Sequence, residues 1–275
     1  MMITCRVSAW PAFNGFILLG ILCVFLLLPL PAPADEGVLS KEQKLMLTHA
    51  AAFAGVTAWG IANWDYFDRS PHRESEGWFS QDTDEGGADK LGHFYLSHLL
   101  TRIMAHTYET WGYPKKDGAL YGALSSFGIM TWMELGDSFS DYGFSHEDFI
   151  MNALGSLAGY FLHTNPALAD IIDFRFEYRP RFDELDIFTD YEHSKFLMAV
   201  KLDGFDGIKN KYLKYMEFHL GYHVGNLSSH EIERNVYAAI GLNLSKIFKN
   251  LSMDRMSTFT RYVQIPYTYA GTDLK

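Results

Sequence analysis

Two hydrophobic patterns divide the chain. Between residues 41 and 163 the apolar residues form long segments with helical spacing, whereas between 173 and 247 apolar and polar residues alternate over several short segments. Helical spacing predicts amphipathic or buried helices, and alternation predicts half-buried strands. The sequence therefore predicts an α+β fold, in which an N-terminal bundle of about four apolar helices is followed by a small antiparallel β-sheet region.

The predicted helices span about 41–64, 90–111, 117–136 and 146–163. Ser40 is a plausible N-cap of the first helix, Asp89 opens the second and Ser145 opens the fourth. No residue carries a formal charge in 46–64 or in 118–133. Apolar segments of this length fit either core helices or membrane spans, so a bundle in or against a membrane remains an alternative to a close-packed soluble one.

Three segments, 195–205, 214–226 and 234–248, are predicted to be strands. In the second of them, Met216, Phe218, Leu220, Tyr222 and Val224 share one face, and Glu217, His219 and His223 share the other. This alternation is typical of a half-buried strand. Three or four strands are too few to close a barrel from one chain, so we expect a small antiparallel sheet that packs against the bundle.

The N-terminus has the composition of an export signal. Arg6 precedes the apolar run 16–28, and Ala32 and Ala34 fit a cleavage site. We therefore predict a signal peptide at 1–34, a helical bundle domain at 35–168 and a β-rich region at 169–275. An uncleaved membrane anchor is the alternative, and lipid attachment at Cys23 is disfavoured by the bulky Leu22 before it.

Charge and motifs exclude several classes of function. The formal net charge is −10, and no cluster of Lys and Arg is present, so nucleic acid is not an expected partner. Both cysteines, Cys5 and Cys23, lie in the predicted signal peptide, which excludes thiol chemistry from the mature chain. The sequence has neither a phosphate-binding glycine loop followed by Lys-Ser or Lys-Thr nor a Gly-x-Ser-x-Gly nucleophile turn. We expect no resident cofactor.

Polar residues are nevertheless concentrated at the ends of the predicted helices. The candidate catalytic residues are His93, Glu134, Asp137 and Asp148, and the candidate binding residues are Asp89, Lys90, Ser145 and Asn152. Pairs three or four residues apart, such as Lys90 and His93, share one face of a helix. A charge at Glu134, after sixteen uncharged residues, is costly unless it is paired or protonated.

Such a cluster has three possible roles. It can carry out acid–base chemistry, since burial and neighbouring charges shift carboxyl pKa values. It can bind a metal through His93, Glu134 and Asp137, although a metal is not the expectation here. It can also be a structural lock that fixes the register of the helices. Each residue taken singly also has an ordinary structural role, as Asp89 and Ser145 do in helix capping.

These residues resemble a known family. The runs 76–102 and 133–159, with Asp89-Lys90-x-x-His93, Glu134-x-x-Asp137 and Gly143-Phe144-Ser145-x-x-Asp148, are similar to the YfiM-like family of predicted periplasmic lipoproteins, a domain of unknown function. The likeness continues through 173–180 and the strand region. More distantly, the spacings resemble those of VanZ-like membrane proteins. The resemblance implies an envelope location and a helical core, and it implies no reaction.

From these observations we expect a periplasmic, membrane-associated envelope protein. The first hypothesis is a non-enzymatic binding or assembly protein whose polar cluster takes an envelope lipid, a glycan or a protein partner. The alternative is a hydrolase or transferase that acts on an envelope lipid or glycan by acid–base catalysis.

Overall fold

The computed structural model describes residues 39–80, 83, 85–179, 189–227 and 231–274. The predicted signal peptide, with Cys5 and Cys23, lies outside these residues. Within the described residues the α+β class is confirmed: seven α-helices, most of them before the sheet, accompany a five-stranded antiparallel sheet. The helices are α1 (Lys41–Asn63), α2 (Ala88–Thr110), α3 (Lys115–Asp137), α4 (His146–Thr164), α5 (Pro166–Ile171), α6 (Leu244–Asn250) and α7 (Asp254–Phe259). The strands are β1 (Arg73–Glu74), β2 (Phe144–Ser145), β3 (Ile172–Tyr178), β4 (Ser194–Lys201), β5 (Met216–Gly225), β6 (Glu233–Leu242) and β7 (Tyr269–Leu274).

The helix starts follow the predicted caps with one exception. Ser40 forms a capping box with Gln43, in which each side chain accepts from the other residue's backbone N–H, at 3.2 and 2.8 Å. The prediction that Asp89 opens α2 is wrong, because the helix begins at Ala88 and its N-cap is Gly87 with φ 82°. A Cβ at Gly87 would overlap the carbonyl oxygen of Trp78, so both the left-handed backbone and the available space require glycine there.

Small residues bring α2 close to both α3 and α4. Cβ atoms added at Gly122 of α3 and at Gly155 and Gly159 of α4 would collide with the backbone or side chains of α2. Glycine at these positions allows the helix backbones to approach closely. Helix α2 thus packs closely against α3 on one side and α4 on another. This packing fixes the positions of the helix ends relative to one another.

The interfaces between these helices are more polar than their composition predicts. Buried hydroxyl groups lie between them, at Ser97, Thr101, Ser125, Ser126 and Ser156. Ser126 donates to the carbonyl oxygen of Ser97 at 2.8 Å, and Tyr108 donates to Ser125 at 2.9 Å. Large apolar side chains are instead exposed on the outer faces of α1, α3 and α4. The inner faces of the predicted apolar helices therefore carry hydrogen-bonded polar groups as well as apolar ones.

The sheet has the strand order β3-β4-β5-β6-β7, and all four pairings are antiparallel. Strands β3 and β7 were not predicted. The prediction that a strand continues to residue 248 is wrong, because β6 ends at Leu242 and Asn243 caps α6 through a bond from the Lys246 N–H at 3.0 Å. Asparagine at an N-cap favours a helix start over further strand.

The polar face of this sheet is the more buried one. Arg175 and Glu217 are 1% and 0% exposed, and their side chains pair with a 2.9 Å bond from Nη2 of Arg175 to Oε2 of Glu217. Arg175 also donates to Asp173 and Gln264. On the opposite face, Phe218 and Leu220 are each 49% exposed. The alternation in β5 was predicted correctly: Glu217 and His219 on its polar side are enclosed, whereas Phe218 and Leu220 on its apolar side are exposed.

Enclosure of the polar face follows from how the chain returns to β3. Segment 262–264 pairs with the free edge of β3: the Phe176 N–H donates to Tyr262 O, and the Gln264 N–H donates to Phe176 O, both at 2.9 Å. The same stretch of chain then continues into β7, which pairs with β6. Residues 262–274 therefore contact β3 at one edge of the sheet and form β7 at the other, and they close the sheet around Arg175 and Glu217.

One end of the sheet packs on α2. Phe196 and Val224 form a cluster with Ala88, and Tyr95 of α2 lies against Phe176 with ring centroids 5.6 Å apart. This contact places the first turn of α2 between the sheet and the remaining helices.

Candidate functional site

The predicted polar residues meet where α2 and α4 begin and α3 ends. Strands β1 and β2 form a two-residue parallel ladder, in which Arg73 pairs with Phe144 and Glu74 with Ser145. The ladder fastens the connection between α1 and α2 to the start of α4. It thereby brings Glu76, which follows β1, next to Lys90.

Lys90 lies at the centre of this group. Its side chain is 1% exposed, and its ammonium group donates to the carboxylates of Glu76, Asp89 and Asp148, the last at 3.0 Å. An ammonium group has three N–H donors, so three carboxylates saturate it. Burial lowers the pKa of Lys90, but the charges of Asp89 and Asp148 outweigh burial and raise it. Lys90 therefore stays protonated.

His93 lies one turn further along α2, against both other helices. Its Nδ1 is 3.2 Å from Oδ1 of Asn152 and 3.3 Å from Oε1 of Glu134. Asn152 also accepts from Ser97 at 3.0 Å and donates to Glu134 at 3.3 Å. The amide of Asn152 thus connects an imidazole, a hydroxyl and a carboxyl group.

Asp148 joins the two halves of the cluster. Its Oδ2 accepts from Lys90, and its Oδ1 lies 3.9 Å from Nε2 of His93. The Asp148 side chain is 4% exposed, yet within the described residues Oδ1 has no hydrogen-bond partner. A buried carboxylate oxygen without a partner is uncommon, because it loses its hydration without compensation.

Burial and mutual repulsion control the pKa values of these carboxyl groups. Burial, reinforced by the charges of Asp148 and Asp137, raises the pKa of Glu134 well above its usual range. Burial raises the pKa of Asp148 as well. Glu76 is raised to a pKa of about 7 by burial and by Asp148. Burial lowers the pKa of His93, so the imidazole is neutral and Glu134 tends to keep its proton.

Two of the predicted residues lie at the edge of the cluster. Asp137 interacts with the hydroxyl of Tyr66, and burial raises its pKa to about 7. Ser145 is the N-cap of α4 and accepts from the Asp148 N–H at 3.3 Å. The structure therefore brings together Asp89, Lys90, His93, Glu134, Asp148 and Asn152, while Ser145 has the capping role that its position suggested.

Three further residues of the site were not among those predicted from the sequence. Glu76 and Tyr66 come from the long polar connection 65–88, and Tyr191 lies between β3 and β4, three residues before β4 begins. Tyr191 is partly buried and packs against Phe196 and Val224, and burial together with the charges of Asp89 and Asp148 raises its pKa. The aromatic residues of the 65–88 connection were the one available signal that this connection is packed.

Among the described residues, two groups of side chains are close enough together to hold a metal ion. His93, Glu134 and Asp148 each offer one ligand atom within 4.8 Å of the other two, and Glu76, Asp89 and Asp148 do the same. The ammonium group of Lys90 bonds to all three members of the second group, which leaves the first as the better candidate. The metal set considered from the sequence included Asp137 in place of Asp148.

Comparisons with known proteins bear on the helical part alone. Neither the curated proteins nor the solved structures contain a significant match to this chain. Residues 75–164 match the model of a family described as "Predicted periplasmic lipoprotein (DUF2279)". The matched segment includes every residue of the polar cluster from Glu76 to Asn152 and ends before β3, so it does not extend the resemblance to 173–180. The likeness to VanZ-like proteins is not shown. Residues 75–164, about a third of the chain, are therefore similar to this family of predicted periplasmic lipoproteins.

Proposed function

We propose that this chain is a non-enzymatic envelope protein whose helical part contacts membrane lipid and whose polar cluster binds a polar ligand group. One observation carries the lipid contact: the outer faces of three neighbouring helices are apolar and exposed. The exposed large side chains are Met46, Leu47 and Ile61 on α1; Leu120, Tyr121, Leu124, Trp132 and Leu135 on α3; and Ile150, Leu154, Leu157 and Phe161 on α4. An apolar surface of this extent marks an interaction site.

Helix α1 adds to this argument. It has the length and composition of a membrane-crossing helix, and Gly60 is its only buried residue. A core helix with the same composition would be buried along one face. The exposed apolar surface of α1 is therefore better satisfied by lipid than by water.

The distribution of charge along the helices fits a lipid contact. Helices α1 and α3 run side by side in the same direction, since His49 bonds to Ser125 at 2.8 Å and Trp132 bonds to Thr57 at 3.0 Å. The lysines Lys41, Lys44, Lys115 and Lys116 are consequently at one end, and the acidic cluster is at the other. The middle of each helix is uncharged. Charged ends and apolar middles match the polar and apolar layers at a membrane.

Cysteine labelling tests the lipid contact. The chain is expressed with Cys5→Ser and Cys23→Ser and with one new thiol, at Leu124→Cys or Leu154→Cys, and intact membranes are treated with a water-soluble maleimide. We expect labelling about tenfold slower than in the matched control Lys116→Cys at the end of α3, because an apolar environment disfavours the reactive thiolate. Equal rates at residues 116, 124 and 154 would show that water covers the outer faces.

A second candidate function is a hydrolase or transferase that acts on an envelope lipid or glycan. The specific support is the pair His93 and Glu134, 3.3 Å apart, whose pKa values are displaced so that a neutral base faces a carboxylic acid. Such divergent pairs are typical of acid–base sites. In this hypothesis Asp137 and Asp148 orient the pair. His93→Ala would then abolish the cellular phenotype while the purified protein remains folded.

A further inference from the structure

We propose that His93, Glu134 and Asp148 form a binding site for one divalent transition-metal cation of the zinc or manganese class. The site goes beyond the lipid contact proposed above and does not depend on it. Each ligand comes from a different helix: His93 from α2, Glu134 from α3 and Asp148 from α4.

The first support is geometric. One ligand atom from each residue lies within 4.8 Å of the other two. Metal–ligand distances of about 2.0–2.2 Å place ligand atoms of one ion up to about 4.4 Å apart. The three groups therefore need only small side-chain movements to share an ion, and the close packing of α2 against α3 and α4 holds them in register.

The second support is independent of the clustering of charge. Asp148 Oδ1 is buried and has no hydrogen-bond partner among the described residues. The other oxygen, Oδ2, is held by Lys90 at 3.0 Å, so the orientation of the carboxylate is fixed. Oδ1 is directed toward Nε2 of His93, 3.9 Å away. A cation between these two atoms would satisfy the oxygen that the protein leaves without a partner.

The groups around the ligands have the arrangement of an outer coordination shell. When Nδ1 of His93 carries the proton and donates to Asn152 Oδ1, the lone pair of Nε2 is available to a cation. Asn152 also donates to Glu134 and holds its carboxyl group in place. Outer-shell hydrogen bonds of this kind orient metal ligands in proteins.

Charge balance favours a cation at this position. Five carboxyl groups, Glu76, Asp89, Glu134, Asp137 and Asp148, lie in or beside the cluster, and the ammonium group of Lys90 bonds to three of them, Glu76, Asp89 and Asp148. Buried charge without compensation is costly. One imidazole and two carboxylates form a mixed nitrogen–oxygen donor set, which suits zinc or manganese better than calcium or magnesium.

Direct metal binding tests the proposal. The full chain is purified, treated with a chelator and titrated separately with Zn²⁺, Mn²⁺ and Ca²⁺, with isothermal calorimetry and the thermal midpoint as measurements. We expect one Zn²⁺ or Mn²⁺ per chain, a higher thermal midpoint with that ion, and weaker binding of Ca²⁺. No binding of Zn²⁺ or Mn²⁺ by the native chain would overturn the proposal, whatever the variants do.

Variants locate the site. Asp148→Asn and Glu134→Gln should each weaken binding by at least about tenfold, since each removes a ligand charge. The matched control is Glu109→Gln, which alters another glutamate paired with a histidine, His163, at 2.7 Å. Its affinity should equal that of the native chain. Unchanged affinity in Asp148→Asn, or an equal loss in the control, would place the ion elsewhere. Circular dichroism identifies variants that fail to fold. If a variant does not fold, the titration of the native chain alone tests the proposal.

Discussion

The amide of Asn152 donates to the carboxyl group of Glu134 across the interface between α4 and α3, at 3.3 Å. Both side chains are buried, at 0% and 2% exposure. The bond is one of several through which a single amide fixes the relative positions of three helices.

Removing that amide should destabilise the protein. Asn152→Leu keeps the side-chain volume but leaves Ser97, His93 and Glu134 without a shared partner. We expect the free energy of unfolding to fall by about 2–3 kcal/mol, because buried polar groups lose their hydrogen bonds. Chemical denaturation measures the change. Ser97→Ala, which removes one of these bonds, should cost about 1 kcal/mol; equal losses in the two variants would contradict a central role for Asn152.

A methyl group at Gly155 should push α2 and α4 apart. A Cβ there would overlap the carbonyl oxygen of Phe94, whereas a Cβ at Gly128 meets nothing within 4 Å. Gly155→Ala should therefore lower the free energy of unfolding by about 1–3 kcal/mol. Gly128→Ala should raise it by up to about 1 kcal/mol, because alanine is the better helix former. The same denaturation measurement distinguishes them, and a stable Gly155→Ala protein would show that the helices pack less closely than described.

The buried ion pair inside the sheet should be costly to break. Arg175→Met leaves Glu217 and Asp173 without their shared cation, and we expect a loss of about 3–5 kcal/mol. The control is Arg69→Met, which breaks the exposed pair of Arg69 with Asp141 and should cost no more than about 1 kcal/mol. If both variants unfold at the same denaturant concentration, Arg175 is not enclosed.

His98 should make the fold sensitive to mild acid. Burial, assisted by the charge of Arg102, lowers its pKa to about 3, against about 6.5 in an unfolded chain. Below about pH 6.5, His98 is therefore protonated in the unfolded chain but stays neutral in the folded chain. The free energy of unfolding consequently falls as the pH drops from about 6.5 toward 3.

Denaturation curves at several pH values between 7.5 and 4 measure this dependence. His98→Phe keeps the ring contacts with Phe174 and Tyr262 but cannot titrate. Unfolding of this variant in mild acid should take up about one proton fewer than unfolding of the native chain, so its free energy of unfolding should change less with pH. Identical slopes in the two proteins would assign the acid sensitivity to other groups.

The helices could be predicted from the sequence because their signals are local. The segment predicted at 146–163 is observed at His146–Thr164, with Ser145 as its N-cap. Helical spacing, a capping residue and the proline at 166 decide these limits within the segment itself. The convergence of Lys90, His93 and Glu134 was also within reach, since charged residues on apolar helices need partners.

Glu76 could not be predicted as a member of the cluster. Its position depends on the pairing of Glu74 with Ser145, two residues far apart in sequence. Which face of the sheet is covered could not be predicted either, for a related reason. Alternation shows that two faces differ, but it does not show which face the rest of the chain covers. In β3, the charges of Asp173, Arg175 and Glu177 resemble those of a solvated strand, although all three are buried.

Closure of the sheet by residues 262–274 has a consequence for the order in which the sheet forms. These residues are made after all the other strands, so β3 to β6 emerge with Arg175 and Glu217 still open to water. In that interval the unfinished sheet is hydrated on its ionic side, which opposes premature aggregation. When Val263 pairs with Phe176, the ionic side is enclosed, and residues such as Phe218 remain on the outer surface. The segment that completes the sheet therefore determines when its ionic side is removed from water.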